Sequence, residues 1–167
     1  NMRSLLPGTV FVWHTLMYTS LVTLIPLFGS PEALGMLLIW MPLLSILGTL
    51  SAGFVIRVLP RPALVASAGY AMVAVLTIAV WLAISGDVDI VAIALVLMFF
   101  SGLIQGAAFS LIPALSTDPA INARANGTIT QLGNLGNLLG SPLFAAALAG
   151  TMFGTFGTVA LLVVVLC

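Results

Sequence analysis

Five stretches of this chain stay apolar for at least the length of about 20 residues that a helix needs to cross the hydrocarbon of a bilayer. They cover roughly 7–29, 33–56, 63–84, 90–115 and 124–149. A sixth begins near 154 and runs to Cys167, where the sequence stops, so it is expected to be a helix cut short (154–167). Residues are 62% hydrophobic and only 5% charged, with a mean hydropathy of +1.30. A soluble domain carries roughly 25% charged residues, and a chain this apolar would aggregate in water. Lipid is the solvent that accepts it, and lipid forces each segment to satisfy its own backbone hydrogen bonds, which means helices. The expected fold class is therefore all-α: a polytopic membrane protein, one transmembrane domain over 1–167, with six transmembrane helices.

The breaks between runs carry helix punctuation. In Gly29-Ser30-Pro31-Glu32, Ser30 suits an N-cap, Pro31 a first turn and Glu32 the positive end of the helix dipole. Pro60-Arg61-Pro62, Ser85-Gly86-Asp87-Val88-Asp89 and Ser116-Thr117-Asp118-Pro119 mark the next three breaks. Loops this short make successive helices antiparallel. The first run is followed by no small-residue cleavage site, so it reads as a mature helix and not as a signal peptide.

Six antiparallel crossings put Arg3, Arg57, Arg61 and Arg124 on one side of the membrane, joined by Asp118, with Glu32, Asp87 and Asp89 on the other. The positive-inside rule then makes the arginine side, and with it the N-terminus, cytoplasmic. The expected location is the cell (inner or plasma) membrane. The net charge of zero offers no basic face to nucleic acid. The single cysteine, Cys167, builds neither a disulfide framework nor a cysteine metal site; no cofactor or metal is expected. No glycine-flanked serine elbow suggests an enzyme, and no filter-like loop suggests a channel.

No Asp, Glu, Lys or Arg falls in mid-membrane, so any function rests on one histidine and uncharged polar groups. The third run is nearly bland. The first holds His14, Thr15, Tyr18 and Thr19 on one broad face. An intramembrane histidine is a functional candidate by default, with proton relay and plain interhelical bonding both open. The fourth run carries Gln105 between Gly102 and Gly106, a small-xxx-small spacing suited to close packing. In the fifth, Thr130, Gln131, Asn134, Asn137 and Ser141 fall on one helix face and Gly133, Gly136 and Gly140 on the other. Burying amides without partners costs several kcal/mol each, so this face must meet either another helix or a watery cavity.

These residues resemble a known family. Gln131-Leu132-Gly133-Asn134-Leu135-Gly136 with Gly140-Ser141-Pro142 looks like the eleventh helix of major facilitator superfamily transporters. The glycine-rich fourth run leading to Asp118-Pro119 is similar to their tenth helix. Gly53 to Pro62 is similar to a degenerate second copy of their glycine–arginine loop, with Arg57 at the acidic position, Pro60 at the second glycine and Arg61 kept from the basic pair. The chain as a whole resembles the C-terminal six-helix half of such a transporter. The resemblance implies two inverted three-helix repeats and secondary active transport of a small solute by alternating access. It implies that His14, Tyr18, Gln105, Gln131 and Asn134 face the substrate. It also implies a partner: the missing N-terminal six-helix half or a second chain. For a proton-driven transporter, the coupling carboxylate would lie in that half, or His14 would substitute. The competing expectation is a non-transporting membrane scaffold or subunit, in which the polar stripes only zip helices together.

Overall fold

A computed structural model describes residues 2–150 and Val163 of the chain. Five long helices account for nearly all of them: α1 (Met2–Leu24), α2 (Pro31–Val58), α3 (Pro62–Ser85), α4 (Val91–Leu115) and α5 (Pro119–Gly150), with a 3-10 turn at Ile25–Phe28 after α1. The expected sixth helix at 154–167 lies outside the described residues except for Val163, which is helical and buried in the core.

Four of the five helices are long and apolar enough to cross a membrane: Ser4–Phe28, Pro31–Val58, Pro62–Ser85 and Val91–Leu115. This makes the chain a membrane protein, with four such helices among the described residues where the sequence led to six being expected over the whole chain. The fifth helix has the length, 32 residues or roughly 48 Å at 1.5 Å per residue. Its amides, with Arg124, leave it too polar to be counted on composition alone. It also begins earlier than expected. Asp118 accepts a hydrogen bond from the Ala120 N–H (2.8 Å), and its carbonyl accepts from Asn122 (3.0 Å). Pro119 thus takes the first helical position, where its missing N–H leaves no hydrogen bond unmade. Arg124 consequently sits inside α5 and not in a loop.

The other boundaries follow from the same chemistry. Ser30 caps α2 by accepting from the Ala33 N–H at 3.2 Å. Pro26 ends α1 as an α-helix and starts the 3-10 turn. Pro7 lies within α1, so this helix starts before the expected residue 7. A proline so near a helix start forfeits little, because the carbonyl it leaves unpaired is close to the end.

α4 is the centre of the bundle. It packs against α2 on one side, α3 on another and α1 on a third, while α5 packs against α1. α2 and α5 are not among the substantially packed pairs. Glycine makes the tight crossings. A Cβ on Gly102 would strike the carbonyl of Ser45, and one on Gly48 the carbonyl of Phe99. A Cβ on Gly136 would meet Thr15 Oγ1 and sit 2.6 Å from the Val12 carbonyl. Larger apolar side chains fill the rest, with Met17, Leu21, Leu37, Met41, Leu97 and Met98 fully buried. The Tyr70 hydroxyl, donating to the Val10 carbonyl at 2.7 Å, ties α3 to α1.

These contacts predict a sharp difference between glycines. Gly102→Ala is expected to lower stability by about 1–3 kcal/mol through overpacking. Gly53→Ala, with nothing within 4 Å of the added carbon, is expected to be neutral or to stabilise by up to about 1 kcal/mol through helix propensity. Unfolding of both variants by SDS in mixed micelles checks the pair.

Candidate functional site

The polar residues of four helices meet at one recess of about 370 Å³, open on one side. Its lining comes from α1 (Phe11, His14, Thr15, Tyr18), α2 (Ser45, Ile46), α4 (Gln105, Phe109) and α5 (Ile129, Thr130, Gly133, Asn134, Asn137). His14, Ser45, Gln105 and Asn134 each lie within about a turn of the middle of their helix. The recess therefore opens halfway along the bundle and not at a loop end. It forms because α2 is held against α4 and α5 against α1, leaving a wedge between α2 and α5.

His14 is the most deeply buried of the polar side chains that line it, at 1% exposed, with Ser45 and Thr15 also buried. Its Nε2 lies 3.1 Å from Ser101 Oγ on α4, and its Nδ1 has no hydrogen-bond partner among the described residues. The ring stacks on Tyr18 (centroids 5.8 Å apart, planes at 28°) and tilts against Phe11 at 5.8 Å. Phe109 of α4 meets Phe11 edge-on at 5.3 Å. Gln105 is half-buried, and its Oε1 accepts from Thr49 of α2 at 3.3 Å. Asn134 is exposed to the recess and makes no side-chain hydrogen bond among the described residues.

Of the residues singled out in the sequence, the structure brings His14, Tyr18, Gln105 and Asn134 to this recess and leaves Gln131 outside it. Gln131 is exposed on α5, roughly 100° round the helix from Thr130 at 100° per residue, at the far edge of the polar stripe. The stripe also divides along its length. Asn137 Oδ1 accepts from Thr19 at 2.8 Å, and Ser141 lies 3.1 Å from the hydroxyl of Thr23. From Asn137, itself on the recess wall, onward to Ser141, the polar face zips α5 to α1. Sequence reasoning passed over Phe11 and Phe109. The spacing Phe11, His14, Tyr18 (i, i+3, i+7) was the available signal, since those positions share one helix face.

A second hollow, of about 420 Å³, lies between the turns Phe28–Ser30 and Asp87–Ile90. It holds two carboxylates, and that of Asp89 is engaged by the Val91 N–H at 3.0 Å. No group of three or more His, Cys, Asp or Glu among the described residues is placed to hold a metal ion.

No family model, curated protein or solved structure matches the chain.

The His14–Ser101 pair is testable as a buried polar contact. Ser101→Ala leaves both imidazole nitrogens without partners and is expected to destabilise the bundle by about 1–3 kcal/mol. The double variant His14→Phe/Ser101→Ala removes both polar groups and is expected to regain part of that loss. A double-mutant cycle of unfolding in mixed micelles reads the coupling.

Proposed function

We propose that the chain is one six-helix half of a secondary transporter of the major facilitator type, moving a small uncharged solute by alternating access. The observation that carries this reading is the convergence of His14, Tyr18, Gln105 and Asn134, from three helices, on one open recess halfway along the bundle. A solute site in such a protein sits at that depth, between repeats. The packing pattern supports the two inverted three-helix repeats. If α1 is exchanged with α4 and α2 with α5, the pairing α1·α5 becomes α4·α2, and these are the two most extensive interfaces. At both, glycine lets one helix backbone approach the other closely.

A partner follows from the same reading. The recess is open, and the exposed Gln131 amide on α5 would be costly against lipid. A second six-helix bundle, as the N-terminal half or as another chain, would close the recess and cover this face. The short loops place Arg57, Arg61 and Arg124 at one end of the bundle, and the positive-inside rule makes that end, with the N-terminus, cytoplasmic in the cell membrane.

The second reading, a scaffold without transport, is favoured by the bonds that consume polar groups between helices: Thr19 to Asn137, Thr23 with Ser141, and Thr49 to Gln105. Cysteine accessibility separates the two. In a Cys167→Ser background, Asn134→Cys is expected to react with water-soluble maleimides from both sides of the membrane, while Val75→Cys, on the exposed side of α3, reacts from neither. If Asn134→Cys stays unlabelled, the recess is dry and the scaffold reading stands. Labelling from one side only would leave a fixed cavity and remove alternating access.

A further inference from the structure

We propose that the recess selects an uncharged, planar aromatic solute with an amide-like hydrogen-bonding edge; the inference rests on the reading of the recess as a solute site. Three properties of the lining carry it.

The first is charge. Among the described residues, no Asp, Glu, Lys or Arg lines the recess. An ion moved into it would find no countercharge on this chain's wall to offset its desolvation, a loss of several kcal/mol even after relaxation. Neutral solutes suffer no such penalty.

The second is shape. Phe11, His14 and Tyr18 form a continuous run of ring contacts along α1, with centroid spacings of 5.8 Å and 5.8 Å. Phe109 meets the Phe11 end of that run from α4. A flat ring entering between α2 and α5 can reach the half-buried Tyr18 and the exposed Phe109, behind which Phe11 and His14 are buried. Offset and edge-on ring pairs favour aromatic over saturated ligands of equal size.

The third is the supply of hydrogen bonds. The hydroxyls on the wall are largely spoken for. Thr15 donates to the Phe11 carbonyl (3.0 Å), and Thr130 to the Asn126 carbonyl (3.0 Å). The hydroxyls of Tyr18 and Ser45 bond one another, and what remains besides them among the described residues is sparse and amide-like: the whole Asn134 side chain, and the amide nitrogens of Gln105 and Asn137, whose oxygens accept from Thr49 and Thr19. A buried imidazole nitrogen, His14 Nδ1, is also without a partner. A polyol brings a hydroxyl on nearly every carbon and would leave most of them unmatched, each at a cost. A primary carboxamide on a ring presents one acceptor and two donors, a number that the free amides can meet.

The test compares benzamide with cyclohexanecarboxamide, which keeps the amide and loses the flat ring, and with glucose. Binding to the full chain in lipid nanodiscs is measured by equilibrium dialysis, with empty nanodiscs subtracted. Benzamide is expected to bind roughly five-fold tighter than its saturated counterpart, the scale of one or two ring contacts. Tyr18→Leu and Phe109→Leu are expected to erase that preference while Asn134→Leu weakens both amides alike. Variants are accepted only with an unchanged size-exclusion profile. If the two amides bind equally and depend on Asn134, or if glucose binds best, the aromatic selection is overturned and the recess survives as a solute site. If none of the three binds, the solute site falls with it.

Discussion

The close approach of helix backbones at glycine sets the geometry of everything else in this bundle. In lipid there is little hydrophobic force between helices, and association depends on fit and on polar contacts. α4 meets α2 where Gly102 faces the Ser45 carbonyl and Gly48 faces the Phe99 carbonyl, and α5 meets α1 where Gly136 faces Thr15 and the Val12 carbonyl. These crossings fix two helix pairs. The α1–α4 contact, including His14 to Ser101, joins the pairs. The recess is what the arrangement leaves over, since α2 and α5 are each committed elsewhere.

The recess and the helix packing consequently draw on the same residues in different proportions. Toward one end of α5, Asn137 and Ser141 bond α1 and hold the bundle together. Near the middle, Asn134 has no such duty. Thr49 shows the mixed case: its hydroxyl lies within 3.0–3.3 Å of the Ser45 carbonyl, the Gly102 carbonyl and Gln105 Oε1. It marks the α2–α4 crossing and also steers the Gln105 amide on the recess wall.

Much of this was legible in the sequence because membrane helices announce themselves by length and composition. The breaks at Ser30-Pro31, Pro60-Arg61-Pro62 and Gly86 lie where the helices end or begin. The glycine face of α5 packs inward as its spacing implied. What was not legible has physical causes. Ser116 to Pro119 read as the close of the fourth helix and the cap of a short turn before the fifth, but an Asp followed by a Pro is also a strong start for a long helix, and α5 uses it so. Periodicity gave the polar stripe of α5 but not its width, so Gln131 was grouped with Asn134 although it sits at the stripe's edge. The aromatic lining was hidden for another reason: Phe11 and Phe109 look like ordinary lipid or core residues until α1 and α4 are brought together.

A distinction between hydroxyls and amides explains why the recess is marked by so few residues. A Ser or Thr on a helix can donate to the carbonyl one turn back, and here Thr15, Ser20, Thr77, Ser110 and Thr130 all do so. Such a hydroxyl survives in an apolar setting without any outside partner. A carboxamide has two donors and an acceptor with two lone pairs, so one local bond still leaves it unsatisfied. Hydroxyls are thus weak markers of a site in a membrane bundle, and amides are strong ones. The amides on the recess, at Gln105, Asn134 and Asn137, come from α4 and α5, helices that contribute little to one another's packing. Their meeting across the recess follows from both helices being fastened to α1, which makes α1 the element on which the shape of the site turns.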